Sequence, residues 1–115
     1  MIAHYSPYTT ANGWLFTSGQ LPLLDRETKK IAVGISAQTL LVLQKVEALL
    51  QEQNMTKEYI IKTTAFITNI EDWGAVNAVY AQFFGDHKPA RSIIPVSELN
   101  YGCLIELEAI AYKSI

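Results

Sequence analysis

The last stretch of the chain carries the clearest alternation. Cys103, Ile105, Leu107, Ala109 and Ala111 recur at every second position, and between them stand Leu104, Glu106, Glu108, Ile110 and Tyr112. A period of two belongs to a strand whose side chains point to opposite faces. Residues 103–113 are therefore expected to form a strand with one uniformly apolar face and one face mixing apolar and acidic groups. Upstream the period changes. From about Ile35 to Gln53, Thr39, Val42, Leu43, Val46, Leu49 and Leu50 share one face of a helix, with Gln44, Glu47, Ala48 and Gln51 opposite and Leu40 and Leu41 outside the stripe. Tyr59 to Thr68 is rich in β-branched residues and predicts a long strand, Ile61, Thr63, Ala65 and Ile67 on one side, Ile60, Lys62, Thr64 and Phe66 on the other. Asn69 is placed to cap a second helix, and Asp72 suits its first turn. Trp73, Val76, Asn77, Tyr80, Phe83 and Phe84 fall on its stripe, and Gly85 ends it.

The remaining segments are shorter. Trp14 to Ser18 reads as a strand following the Asn12-Gly13 turn, stopped by Gly19. Pro22 keeps the next stretch extended, Asp25 to Lys30 is a polar connection, and Ile31 to Val33 has the character of a short edge strand. Pro89 bars a helix from its segment, and Ile93, Ile94 and Val96 read as a strand after it. This order predicts one α+β domain over residues 1–115: a mixed sheet with two helices packed on one face. The mixed face of the last strand is too apolar to be left wholly in water. A second subunit is its simplest cover.

Composition narrows the partners. Half of the 115 residues are hydrophobic and 17% are charged, a low share for a small monomer and a further hint of surface hidden by other subunits. The net charge of −2 and scattered lysines leave no basic footprint for nucleic acid. No apolar run approaches membrane-spanning length, and residues 1–13 lack the charged start and apolar run of a signal peptide. The one cysteine, Cys103, excludes an intrachain disulfide and fits a reducing cytoplasm. His4 and His87 lack metal-ligand spacing, so no metal is expected.

Five places offer chemistry. Arg91, in His87-Lys88-Pro89-Ala90-Arg91-Ser92, stands at the mouth of an apolar strand, where its guanidinium needs an anion. Its planar fork can hold a carboxylate bidentately; an internal salt bridge to Glu106 or Glu108 is the plainer reading. Asn77 lies in the aromatic stripe, where an unpaired buried amide would cost ~1–3 kcal/mol; it either bonds nearby backbone or rims a pocket beside Trp73. Glu106 is either an ion-pair member, with Lys62 a candidate partner, or a partly desolvated carboxylate able to take a proton from water. Ser18-Gly19 supplies a hydroxyl and an unencumbered backbone N–H, and Tyr8 after Pro7 an aromatic wall or ordinary packing.

Thr17-Ser18-Gly19-Gln20-Leu21-Pro22, Val76-Asn77-x-x-Tyr80, Pro89-Ala90-Arg91-Ser92 and Ile105-Glu106-Leu107-Glu108-Ala109-Ile110-Ala111 resemble, in order and spacing, the RidA/YjgF family over nearly the whole chain. The resemblance implies a chorismate-mutase-like α+β domain assembled as a homotrimer, with sites in the clefts between subunits. It also implies hydrolysis of reactive enamines and imines (2-aminoacrylate/2-iminopropanoate, 2-iminobutanoate) to 2-keto acids and ammonia, without metal or organic cofactor. By the same resemblance Arg91 would clamp the substrate carboxylate and Glu106 would position or activate water. Tyr8, Ser18 and Gly19 would line the cleft, with Trp73 and Asn77 near it. Where many deaminating members have cysteine after the Arg-Ser pair, this chain has Ile93. The usual Leu-Pro turn before the last strand is Leu99-Asn100-Tyr101-Gly102, and the usual Gly-Pro-Tyr is Ser6-Pro7-Tyr8. Two other functions stay open: a non-enzymatic carboxylate- or keto-acid-binding trimer acting as sensor or regulator, and, ranked last, an endoribonuclease.

Overall fold

The computed structural model describes residues 3–114. Seven strands and two helices run β1 (Tyr8–Ala11), β2 (Trp14–Thr17), β3 (Leu23–Asp25), β4 (Lys30–Ile31), α1 (Ile35–Gln51), β5 (Ile60–Ile67), α2 (Trp73–Phe84), β6 (Ala90–Pro95) and β7 (Ile105–Tyr112). Five strands form one mixed sheet in the order β1-β2-β7-β5-β6, and β3 and β4 make a separate hairpin. β7 is central, antiparallel to both β2 and β5. β5 and β6 run parallel, as the intervening α2 crossover allows.

The alternation of the last strand holds through its whole length. Cys103, Ile105, Leu107, Ala109 and Ala111 are all buried beneath the helices. Opposite them α1 contributes Val42, Leu43, Val46 and Leu50, and α2 contributes Val76, Tyr80 and Phe84. A fully buried Ile or Leu such as Ile105 or Leu107 contributes ~1.5–3 kcal/mol by leaving water. Leu40 lies outside the stripe and is exposed. Gln38 joins the elements rather than breaking the core. Its amide nitrogen donates to the Ala32 carbonyl (2.9 Å), and its carbonyl oxygen accepts from Leu104 N–H (2.8 Å), tying α1 to the approach to β7.

Four expectations need correction. The strict alternation expected of β5 fails at its start: the register shifts between Ile60 and Lys62, so Ile60 turns into the core and Ile61 stands exposed. Asn69 does bond a following amide, that of Glu71 (3.0 Å), but it caps a single 3-10 turn over Ile70–Asp72 that feeds into α2. β7 begins at Ile105 rather than Cys103, because a 3-10 turn over Asn100–Gly102 brings the chain in. The edge strand expected at residues 31–33 is Lys30–Ile31. β1 carried no hydrophobic signal (Tyr8-Thr9-Thr10-Ala11), yet it pairs with β2 across the Asn12-Gly13 turn, where both residues take positive φ.

Among the described residues no helix covers the other face of the sheet. Trp14, Phe16 and Ile94 are exposed there, with Phe66 and Ile110 between them. Trp14 packs on Tyr112 at 4.8 Å between ring centroids.

Cys103 is expected to be structural. Its buried thiol is pushed up in pKa by desolvation, with Glu106 adding to the effect and Lys45 opposing it. Cys103→Ala should lower stability by ~1 kcal/mol and leave the fold unchanged. A thiol reagent should label the protein slowly when native and rapidly when unfolded; fast native labelling would contradict this burial.

Candidate functional site

Arg91 is the second residue of β6 and pairs directly with Thr63 of β5. Partners across a sheet share a face, and Thr63 is fully buried on the helix side. The arginine therefore rises toward α2. Its Nη1 donates to Asn77 Oδ1 (3.0 Å), and its guanidinium carbon lies 5.3 Å from the Trp73 ring centroid and 4.9 Å from that of Tyr80. Asn77, expected within a buried stripe, is in fact exposed. It sits one step off the buried line Val76-Tyr80-Phe84, so its amide incurs no burial cost and is free to hold the arginine. Ile93 follows on the same side, partly buried against the core.

Beside Arg91 opens a hollow of about 460 Å³, walled by Asn77, Tyr80, Phe84, His87 and Pro89. His87 is fixed there by a 2.8 Å bond between Nε2 and the Ile60 carbonyl, and its ring meets Phe84 edge-on. The hollow thus combines an aromatic wall with a guanidinium at its rim.

Glu106 belongs to the opposite side of the sheet. It pairs with Phe66, and Glu108 pairs with Thr64, both on the uncovered face. An internal ion pair between Arg91 and either glutamate is therefore excluded by the pleat. Lys62, the other expected partner, lies opposite Ile110 rather than Glu106. Gly19 closes against the Glu106 carboxylate, so that a Cβ at position 19 would collide with it. Partial burial pushes the Glu106 carboxyl above the usual carboxylate range, and the neighbouring charge of Glu108 adds to the shift.

The remaining sequence candidates divide in the same way. Ser18 flanks Gly19, but its hydroxyl already donates to the Ser6 carbonyl and its N–H to that of Pro7. Tyr8 lies on the end of α1: its hydroxyl donates to Glu52 Oε1 (3.1 Å) and accepts from Gln53 Nε2 (3.1 Å). Arg91, Asn77, Trp73 and Ile93 thus gather on the helix side, and Gly19 gathers with Glu106. Within one chain the two groups do not meet. Tyr80, which sequence reasoning assigned only to the packing stripe, is the member of the Arg91 cluster it missed. The signal was its spacing, one turn beyond Asn77 and two beyond Trp73. Among the described residues no three His, Cys, Asp or Glu side chains come together as a metal site.

The raised Glu106 value fixes the sign of a pH effect. A carboxyl that holds its proton more tightly when folded stabilises the fold below its unfolded pKa of about 4.3. That contribution is lost as the pH rises through the folded value. Glu106→Gln should therefore match wild type near pH 4 and become the more stable of the two at about pH 7. Denaturant titrations across this range check it. A variant less stable than wild type at neutral pH would show that the carboxylate has a stabilising partner.

Comparison with known proteins agrees with this architecture. Residues 1–113 match the family described as Endoribonuclease L-PSP. A RutC family protein of Pyrococcus horikoshii is 41% identical over 113 residues, spanning 97% of this chain and 89% of its own. The E. coli protein TdcF, solved with bound serine, superposes with a TM-score of 0.90 at 35% identity, over 99% of this chain and 91% of TdcF. The E. coli YjgF gene product gives 0.89 at 33% identity, over 98% and 91%. Coverage is nearly complete on both sides, so the likeness is one of whole domains. The chain belongs to the Endoribonuclease L-PSP family, the RidA/YjgF/RutC group of α+β proteins.

Proposed function

We propose that this protein is a homotrimeric hydrolase of reactive enamines and imines, converting compounds such as 2-aminoacrylate, 2-iminopropanoate and 2-iminobutanoate to 2-keto acids and ammonia. The observation that carries the reading is the separation of Arg91 from Glu106. A carboxylate clamp and a partly desolvated carboxyl lie on opposite faces of one sheet, so they can act on one molecule only if different copies supply them. The uncovered apolar face around Trp14, Phe16 and Ile94 supports such an assembly.

In this reading the substrate carboxylate takes the outward donors of Arg91, whose Nη1 is already committed to Asn77. Charge-assisted, bidentate geometry fixes the α-carbon next to it. Glu106, from an adjacent subunit, receives a proton from the attacking water as oxygen bonds to the imine carbon. Gly19, having no side chain, lets the backbone close against this carboxylate. Proton return to nitrogen lets ammonia leave as the carbonyl forms. Proximity and general-base assistance are sufficient for an electrophile this reactive. Ile93, two residues beyond Arg91 on the same face, can supply shape but no chemistry. The same Arg91 clamp also suits a carboxylate-binding trimer without catalysis, a reading favoured by the serine found in TdcF. The two differ in whether Glu106 is needed.

Light scattering should give a mass three times that of the 12.9 kDa chain. Enzymatically generated 2-aminoacrylate should be converted to pyruvate and ammonia. Arg91→Ala should lose both turnover and 2-ketobutyrate binding, and Arg91→Lys should retain weak affinity. Glu106→Gln should bind 2-ketobutyrate while turning over ~10²–10⁴-fold more slowly. If Glu106→Gln turns over like wild type, the water is activated elsewhere. If the wild type binds keto acids and never releases ammonia, the binding role replaces the enzyme.

A further inference from the structure

Arg91 is held by more than the Asn77 amide, and the additional support comes from a buried pair that no proposed chemical step uses. Tyr80 projects from the middle of α2 into the core, where only 5% of it is exposed. Its hydroxyl donates to Thr63 Oγ1 (3.0 Å), a side chain wholly closed to solvent. Thr63 is also the residue of β5 directly paired with Arg91. The ring so fixed lies under the guanidinium at 4.9 Å. We infer that Tyr80, locked by Thr63, is a positioning residue for Arg91: it forms the platform that fixes the plane of the carboxylate-binding fork.

Three physical features favour this role over packing alone. First, a tyrosine buried this deeply needs a partner for its hydroxyl, and the partner lies on the strand position that carries the arginine. Second, burial pushes the Tyr80 phenol up in pKa, with the Thr63 bond and the Arg91 charge opposing the shift, so the hydroxyl stays a neutral donor at physiological pH. The Thr63 bond is thus insensitive to the pH at which an imine would be hydrolysed. Third, Tyr80 fixes the plane of the guanidinium through its ring face, while Asn77 fixes its rotation through one Nη1 bond. Trp73, 5.3 Å away and nearly half exposed, lies on the rim of the same support. An arginine without such support would spend its side-chain entropy each time it bound a ligand.

This inference rests on the proposed use of Arg91, and its test separates the two. Nitrogen-15 relaxation of the Arg91 Nε–H group reports guanidinium order without any ligand, and calorimetric titration with 2-ketobutyrate reports the clamp. Tyr80→Leu should release the Nε–H group to fast motion and weaken 2-ketobutyrate about tenfold, the range of a partly desolvated cation–π contact. Tyr80→Phe keeps the ring and loses the Thr63 bond, so both readouts should fall between those of wild type and Tyr80→Leu. Val76→Ala, one turn earlier in the same buried line, should lower the melting temperature and leave both readouts unchanged. Wild-type order and affinity in Tyr80→Leu would overturn the inference. If the wild type binds no keto acid, the functional reading fails, and the relaxation of Tyr80→Leu still decides whether Tyr80 orders Arg91.

Discussion

The pleat of the sheet is the constraint on which the site depends. Side chains along a strand alternate between faces, and pairing carries that parity from β7 through β5 to β6. Ala109, Thr63 and Arg91 form one cross-strand row and face the helices; Glu106, Phe66 and Ile94 form another and face away. No rotamer of a side chain crosses a sheet. The proposed carboxylate clamp and the proposed base are thus fixed apart by the same register that buries the core, and a one-residue slip would expose the alternate apolar residues from Cys103 to Ala111.

Each half of the site is then shaped by its own surroundings. On the helix side, aromatic rings and one exposed amide orient a cation next to a hollow. On the other side, a glycine makes room at a carboxylate whose affinity for protons is raised by partial burial and by its neighbour Glu108. A stiff cationic clamp and a basic carboxyl are complementary to the two ends of an α-imino acid. The uncovered face bearing Trp14, Phe16 and Ile94 belongs to the same logic, because the surface that needs cover is the surface that carries Glu106.

Much of this was legible in the chain. β7 and both helices follow from periodicity, since burial on one face leaves a period of two or 3.6 that survives in the residue types. The rest depended on pairing. Ile60 and Ile61 are chemically alike, so nothing in their identity reveals the bulge that buries one and exposes the other. β1 holds polar residues because it is an edge strand, and only its partner β2 makes it a strand. The parallel pairing of β6, which sends Arg91 to the helix side, comes from the α2 crossover and not from any residue near Arg91. Glu106 and Arg91 were readable as candidates; that one chain keeps them apart was not. Tyr80 was hidden by its dual character, since a tyrosine on an apolar stripe reads as core until its hydroxyl partner is known.

The central claim is that Arg91 and Glu106 from different copies complete one site, and subunit mixing tests it most directly. Arg91→Ala and Glu106→Gln proteins are each strongly impaired in this account. Unfolded together and refolded as mixed trimers, they should regain imine hydrolysis, because some clefts then receive an intact Arg91 from one subunit and an intact Glu106 from its neighbour. Mixed trimers that form but stay as impaired as either parent would contradict a shared site.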